Sequence, residues 1–429
     1  MLVLGLALLI FVSHLIGVSY GLWPRFGPQD EIDTILRQMT LREKICQLFI
    51  VLPEQVIEEQ VIEEQVIEPT GNTGQDQGTD QADLKLFQKR TPGPDTKPKP
   101  DPASYSAITQ VGPEVGIDME AVLSKYPVGG FFLNSPHLVS QAQVRALTQS
   151  LQKHSKIPLI LTCDEEGGRV SRLMETVGIT PIGPMLSYQD QGPAVATANA
   201  RTIARDMTAL GFNMDLAHVA DVWSNPANTV IGDRAYSTDF DQAATLIRAA
   251  VLGFHSPSNK YALACTLKHF PGHGDTTADS HDGTVYVEKT LEYLRREELK
   301  PFQAGIDAGA DAVMIGHLVV RQVDSTIAPL SHKITTELLR DEMRFQGVIL
   351  TDSLLMGAVT SLYTPEDLVV RAIEAGVDML LCPADLDRSL AALQIAVETG
   401  RLPESRIDAS VRRILTLKAN RGILQGEEE

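Results

Sequence analysis

The chain has 429 residues, 43% of them hydrophobic, which is enough for one large barrel domain or two ordinary domains with a substantial core. Its formal net charge of −18 argues against a nucleic-acid backbone or an anionic membrane surface as partner and leaves a neutral or cationic small molecule open. Four cysteines fall in apolar strand-like runs without a CxxC pair, so we expect buried free thiols: Cys46, Cys163, Cys265 and Cys382.

Residues 1–23 are almost wholly apolar and contain no Asp, Glu, Lys or Arg. Such a stretch predicts an export signal or a membrane anchor. The small residues Gly17-Val18-Ser19 suit a cleavage site, but the stretch is also long enough to span a bilayer uncleaved. We therefore expect an exported or membrane-anchored, extracytoplasmic protein, and both fates of the leader stay open.

Residues 30–44 predict an amphipathic helix, and Ile45–Leu52 predict a strand. A compositional break follows, in which the unit Glu-Gln-Val-Ile-Glu occurs three times within residues 54–68. A period of five suits neither helix nor strand, and the residues that follow are rich in Gly, Pro, Asp, Gln and Lys. We therefore predict a disordered low-complexity insertion over residues 53–103.

Apolar runs then alternate with helical patterns along the rest of the chain. Helices are predicted over 140–153, 192–210, 301–308, 335–344, 365–375 and 405–423. Eight strands are predicted near Leu48, Phe131, Leu161, Met214, Thr266, Met314, Ile349 and Leu380. This alternation predicts a single α/β domain over residues 28–425, a (β/α)8 TIM-type barrel whose parallel strands are buried on both faces. A doubly wound sheet is the alternative, but polar residues at many strand ends favour the closed barrel.

The most polar stretch of the chain, Lys268–His281, follows a predicted strand over residues 261–267. It holds three histidines, two carboxylates and a lysine, and its proline and glycines exclude a helix. We therefore predict a catalytic loop at the C-terminal end of a strand. A metal site is the alternative, but the Phe-Pro-Gly between the first two histidines breaks the helix that would align them as zinc ligands.

The sequence Lys-His-Phe-Pro-Gly-His-Gly, followed by Asp-Ser-His, closely resembles the signature of glycoside hydrolase family 3 in its β-N-acetylhexosaminidase branch. The resemblance implies that His281 is the general acid/base and that Asp279 orients it. It also implies that Lys268 and His269 bind the sugar. Most glycosidases use a carboxylic acid for the proton transfer, but a histidine suits it because its pKa lies near neutrality.

Two other clusters resemble the same family. Asp-Glu-Glu-Gly-Gly-Arg-Val follows the third predicted strand, which implies that Asp164 and Arg172 contact the sugar. Glu165 stands where relatives carry a glutamine. Arg234 is implied to bind substrate too, although from the residues alone it reads as a structural ion pair with Asp233.

Asp352 follows the seventh predicted strand and corresponds to the family's nucleophile. The implied mechanism is retaining: Asp352 attacks the anomeric carbon while His281 protonates the leaving oxygen and then activates water. No metal or organic cofactor is needed. The resemblance implies a small carbohydrate substrate with terminal β-linked N-acetylglucosamine. We also expect a monomer. A β-glucosidase-type hydrolase, a glycoside phosphorylase and an inactive sugar-binding protein remain as alternatives.

Overall fold

The computed structural model describes residues 29–57, 119–256, 263–276 and 283–425, and a ring of eight parallel strands lies at its centre. We number them β1 to β8: Phe49–Val51, Gly130–Phe132, Ile160–Cys163, Met214–Asp215, Ala264–Phe270, Ala312–Ile315, Val348–Thr351 and Leu380–Leu381. Strands β1 to β7 pair with one another in sequence order, and β8 pairs with β1. A parallel bridge between Leu350 of β7 and Met379, next to β8, closes the ring. The predicted (β/α)8 barrel is confirmed.

Helices lie between the barrel strands and after the last of them. The longer ones are Gln141–Lys153, Pro193–Thr208, Phe240–Phe254, Leu299–Asp307, Lys333–Glu342, Pro365–Ala375, Leu386–Glu398 and Glu404–Asn420. The shorter ones are Met119–Lys125, Tyr188–Gln191, Leu291–Arg296 and Gly357–Thr360. The predicted helices among them are found to within a few residues. The best defined begins after its N-cap Thr364 and ends at Gly376, whose φ of 117° only glycine adopts readily.

The single helix predicted over residues 30–44 is wrong, because the chain forms two helices there, Gln29–Gln38 and Leu41–Cys46. Thr40 begins the second helix with a capping box. Its hydroxyl accepts a hydrogen bond from the Glu43 amide at 3.2 Å, and the Glu43 carboxylate accepts from the Thr40 amide at 2.8 Å. The first strand accordingly begins later than predicted.

Two predicted segments lie wholly or mostly outside the described residues: the leader 1–23 and residues 58–103 of the insertion. Residues 53–57, with which the predicted insertion starts, are described and pack on the barrel. Val56 and Ile57 are both buried there. The first residues of the predicted insertion therefore belong to the barrel core. Within the described ranges, no helix combines the length and apolarity needed to cross a membrane.

The side chains of β3, β5, β6 and β7 are buried along the whole length of each strand. Burial on both faces explains why these strands appear in the sequence as continuous apolar runs. The four cysteines are buried free thiols, as predicted.

Strand β5 is longer than predicted, and this changes the setting of the polar motif. Lys268, His269 and Phe270 belong to the strand and not to the loop that the sequence indicated. Phe270 is fully buried and packs edge to face on Phe302, with ring centroids 5.3 Å apart. The first two polar residues of the motif therefore sit on a rigid element inside the barrel.

Candidate active site

Polar residues follow, or lie at, the C-terminal ends of four barrel strands. Because the strands are parallel and the ring is closed, these ends meet at one mouth. The predicted site residues found there are Asp164 and Arg172 after β3, Arg234 after β4, Lys268 and His269 in β5, and Asp352 after β7. Asp279 and His281 lie outside the described residues, and their roles stay predictions.

An ion-pair network joins three of these elements. The Lys268 ammonium lies 2.7 Å from Asp164 Oδ1 and 2.6 Å from Glu166 Oε1. Arg234 binds Glu166 with two parallel hydrogen bonds, Nε to Oε2 at 2.7 Å and Nη2 to Oε1 at 2.8 Å. Burial lowers the pKa of Lys268, but Asp164 and Glu166 more than offset it, so the pKa lies above its ordinary value. The ammonium is therefore charged although its side chain is buried.

Glu166 is the residue that the sequence analysis missed. The interpretation of Arg234 as a partner of Asp233 is wrong, because Asp233 instead pairs with Arg169 at 2.8 Å. Burial raises the pKa of Glu166, but Arg234 and Lys268 outweigh it and hold the pKa far below its ordinary value. The one available signal was a glutamate directly beside the twin glycines, at a strand end where an acid is buried only if it is paired.

Arg172 lies at the more open edge of this network. Its Nη2 is 3.8 Å from Asp164 Oδ2, and about a third of its side chain, 34%, is exposed. Its Nε is buried and has no hydrogen-bond partner among the residues that the structure describes. The exposed third of the Arg172 side chain therefore stays accessible to a ligand at the mouth.

Glu165 occupies the position where the sequence resemblance implies a glutamine. One of its oxygens accepts hydrogen bonds from the amides of Arg172 and Leu173, each at 3.0 Å. The Glu165 amide in turn donates to Asp215 Oδ1 at 3.0 Å. Burial raises the pKa of the Glu165 carboxyl above its ordinary value. The contacts use this side chain as an acceptor, which a glutamine carbonyl oxygen also supplies.

Asp221, in the segment after β4, holds the end of β5. Its carboxylate accepts from His269 Nδ1 at 2.7 Å, from the His269 amide at 3.1 Å and from the His273 amide at 2.7 Å. Its side chain has no exposed surface. Burial raises the pKa of Asp221, but His269 outweighs it, and the pKa stays below its ordinary value. This contact fixes the His269 ring and leaves its Nε2 as the atom that can meet a substrate.

Asp352 lies just beyond β7 and is half-buried. Its Oδ1 accepts from the Ser353 amide at 2.7 Å, and His317 Nε2 donates to the Ser353 carbonyl at 2.9 Å. Burial raises the pKa of Asp352, but His269 and His317 outweigh it and hold the pKa below its ordinary value. Asp352 is therefore an ionised carboxylate at neutral pH. His317, for which the sequence indicated no task, supports the chain beside it.

The alternative of a zinc pair in the polar motif has little support in its contacts. His269 is bonded to Asp221, and His273 Nδ1 lies 2.7 Å from the Thr276 hydroxyl. Among the described residues, one group has ligand atoms close enough together for a metal: His255, Cys265 and Asp311. It lies at the N-terminal end of the strands, and the Arg421 guanidinium, 2.6 Å from both His255 and Asp311, already places a cation there.

Comparison with known proteins adds independent findings. Residues 106–417 match the glycosyl hydrolase family 3 N-terminal domain. Beta-hexosaminidase A of Pseudoalteromonas piscicida is 33% identical over 350 residues, which cover 75% of this chain and 57% of that protein. A beta-hexosaminidase of Xanthomonas oryzae pv. oryzae is 35% identical over 296 residues, 67% of this chain and 86% of the relative.

A solved structure is similar as well. The glycoside hydrolase family 3 beta-N-acetylglucosaminidase from Paenibacillus sp. str. FPU-7 shares 38% identity with a TM-score of 0.68, over 71% of this chain and 59% of that one. The chain thus spans less than two thirds of the length of this enzyme and of the Pseudoalteromonas relative.

Proposed function

The chain belongs to glycoside hydrolase family 3, and we propose that it is a retaining β-N-acetylhexosaminidase that removes terminal β-linked N-acetylglucosamine from oligosaccharides or cell-wall fragments. One observation carries the proposal. The paired cations Lys268 and Arg234 share the barrel mouth with the ionised carboxylate Asp352. The similarity to proteins named beta-hexosaminidases supports the choice of sugar.

Sugar binding in this proposal uses fixed donors and acceptors at the mouth. The Lys268 ammonium has three protons, two of which point to Asp164 and Glu166, so one is left for a ring hydroxyl. The Asp164 side chain is 19% exposed and can accept from a second hydroxyl. The Arg172 side chain, 34% exposed, and His269 Nε2 extend the same surface. Charged groups held in place bind hydroxyls without first having to be ordered.

Asp352 is the nucleophile in this proposal. Its lowered pKa keeps it ionised, which an attacking carboxylate requires. One oxygen is held by the Ser353 amide, and the carboxylate attacks the anomeric carbon as the bond to the leaving oxygen breaks. The product of this step is a covalent glycosyl-enzyme with inverted configuration at that carbon.

His281 is the proposed acid/base, with Asp279 as the carboxylate that sets its tautomer; both assignments come from the family resemblance. His281 gives its proton to the leaving oxygen in the first step. In the second step it takes a proton from water, which attacks the anomeric carbon and releases Asp352. Two inversions give net retention, and the histidine ends in its starting protonation state.

A panel of chromogenic β-glycosides, read with and without inorganic phosphate, tests the function. We expect the N-acetylglucosaminide to react fastest, well ahead of the glucoside and the xyloside, at a rate that phosphate does not change. A sugar 1-phosphate formed only with phosphate would indicate a phosphorylase. Binding of N-acetylglucosamine without turnover of any substrate would indicate an inactive sugar-binding protein.

We also propose that the chain is exported or held at a membrane, a proposal supported by the apolar composition of residues 1–23. Fractionation of expressing cells, with the full chain beside a variant that starts at residue 24, tests it. Both forms in the cytoplasm would refute it.

A further inference from the structure

Glu166 is buried behind the proposed sugar-binding surface, and its carboxylate is already used by two cations. Oε1 accepts from Lys268 Nζ at 2.6 Å and from Arg234 Nη2 at 2.8 Å, and Oε2 accepts from Arg234 Nε at 2.7 Å. Its side chain is 1% exposed. A substrate hydroxyl cannot displace these contacts without separating buried charges, so Glu166 is not itself a sugar ligand.

Asp164 makes a different use of the same lysine. Its Oδ1 binds Lys268 at 2.7 Å, but its side chain is 19% exposed and its Oδ2 meets Arg172 only at 3.8 Å. Asp164 is thus the member of the pair that faces the mouth, while Glu166 lies behind the cations. Both carboxylates bind the same ammonium, but Asp164 is partly exposed at the mouth and Glu166 is buried.

The backbone that carries Glu166 is itself held in place. Glu165–Gly167 pairs antiparallel with Val170–Ser171, and the Gly168 amide donates to the Ile182 carbonyl at 2.8 Å. Gly168 has a φ of 56°, and a Cβ there would lie 2.8 Å from Pro184 Cα. The hairpin therefore requires glycine at this turn and sits close against the chain beside it. A carboxylate on such a support can fix its partners.

We propose that Glu166 is a positioning residue that holds Lys268 and Arg234 together and directs their remaining N–H groups toward the sugar. Because the ligand is a sugar, the inference rests on the proposed function. Lys268 keeps one proton beyond its two carboxylate contacts. Arg234 keeps N–H groups beyond those given to Glu166 and to the Val230 carbonyl, which accepts from Nη1 at 3.1 Å.

The contacts of Glu166 also explain why a glutamine cannot replace it. A glutamine has the same shape but offers one acceptor oxygen and one NH2 donor. Since each Glu166 oxygen accepts from a cation, the NH2 group would point at Lys268 or Arg234, donor against donor. The two cations would also repel each other without the negative charge. An aspartate keeps the charge but is one methylene too short to hold both partners.

The test compares Glu166→Gln and Glu166→Asp with the wild type. The readouts are KM and kcat on the chromogenic N-acetylglucosaminide, the Kd of free N-acetylglucosamine by calorimetry, and the thermal midpoint. Replacing a residue that orients ligand-binding side chains weakens binding by a factor of roughly 10 or more, the lower end of what is found for the groups behind metal ligands. We expect Glu166→Gln to raise KM and Kd by at least that factor, and Glu166→Asp to raise both by less.

Asp378→Asn is the matched control, because Asp378 is also a buried carboxylate paired with arginines but lies at the other end of the barrel. We expect it to lower the thermal midpoint and leave KM within twofold of wild type. A merely structural role for Glu166 predicts the same pattern in both variants.

An unchanged KM and Kd in a folded Glu166→Gln variant would overturn the inference, and so would an equal rise of KM in Asp378→Asn. If the glutamine variant does not fold, an unchanged KM in Glu166→Asp would overturn it. A wild type that neither binds nor turns over any β-glycoside would refute the proposed function itself. A wild type that is active beside a Glu166→Gln variant with normal KM would refute this inference alone.

Discussion

The two ends of the barrel each bury a cluster of charged side chains, and the clusters differ in how completely they are satisfied. At the N-terminal end, Asp378 has no exposed surface and both oxygens are filled: Oδ1 by Ser410 at 2.7 Å and Arg413 at 3.0 Å, Oδ2 by Arg340 at 2.6 Å and the Ile349 amide at 3.1 Å. Arg340 also donates to two backbone carbonyls. This cluster closes on itself and joins the last helix to the strands.

At the mouth, the cluster around Lys268 is left incomplete on one side. Glu166 behind it is filled, whereas Asp164 and Arg172 are 19% and 34% exposed, and Arg172 Nε has no partner among the described residues. Buried ion pairs alone therefore do not distinguish a binding site from a structural one. The distinction lies in the donors and acceptors that remain, and four substitutions probe it.

The largest effect is expected for Asp352→Ala. Turnover of the N-acetylglucosaminide should fall by at least about a thousandfold, because no other group at the mouth is assigned to form the covalent intermediate. The thermal midpoint should change little. Asp233→Ala is the control, since Asp233 is a carboxylate of the same region that pairs with Arg169 at the surface. Turnover retained in the Asp352 variant would remove this residue from the mechanism.

Asp378→Asn tests the closed end. Removing one partner of a buried ion cluster lowers the free energy of unfolding by about 3–5 kcal/mol. Chemical denaturation measures this loss, and steady-state kinetics on the folded protein should give a wild-type KM. A KM that rises together with the loss of stability would show that the closed end also affects substrate binding.

Lys418, also at the closed end, makes the stability of the fold depend on pH. Its fully buried Nζ donates to Gln47 Oε1 at 2.8 Å, and burial lowers its pKa from 10.5 to about 7. Because the folded-state pKa lies below the unfolded one, the charged form destabilises the fold. The wild type should therefore gain stability from this residue as pH rises from about 7 to 10.5.

Lys418→Met should consequently be more stable than the wild type at pH 7, by roughly 3 kcal/mol. The variant gains about 1.4 kcal/mol for each unit by which burial lowers the lysine pKa, and it loses part of this gain with the hydrogen bond to Gln47. The difference should narrow as the pH approaches the ordinary lysine pKa. Denaturation of both proteins across this range measures it. A difference that is constant with pH would show that Lys418 is charged in the folded state.

The smallest effect on stability is expected for Glu165→Gln, a substitution at the mouth of the barrel. Burial raises the pKa of Glu165, so the folded state favours the protonated form and loses stability as pH rises above the ordinary value of 4.5. The glutamine variant should match the wild type near pH 4 and be more stable than it at pH 7, a difference that chemical denaturation at both pH values measures. Higher stability of the wild type at pH 7 would mean that the carboxylate charge is favourable there.

The sequence predicted the barrel well because parallel strands buried on both faces leave continuous apolar runs, and each of the eight was found. It failed where long-range pairing decides the structure. Lys268 and His269 were predicted to lie in a loop because polar side chains are stable inside a barrel only when they are paired. Their partners, Asp164 after β3 and Asp221 after β4, are distant in sequence and could not be identified from it. Arg234 was assigned to its neighbour Asp233, since sequence proximity gives no access to Glu166, 68 positions away. Thr40, by contrast, carried a recognisable capping signature that hydrophobic periodicity alone overlooked.

The most direct measurement of the central claim is the site of covalent labelling by a fluorinated N-acetylglucosaminide whose glycosyl-enzyme hydrolyses slowly. Intact-mass spectrometry should show the wild-type chain heavier by one sugar, and peptide mapping should place that sugar on Asp352. The Asp352→Ala variant should stay unlabelled, and Glu166→Gln should label at the same residue but require more reagent. A label on any other carboxylate, or turnover with inverted configuration and no label, would contradict the account.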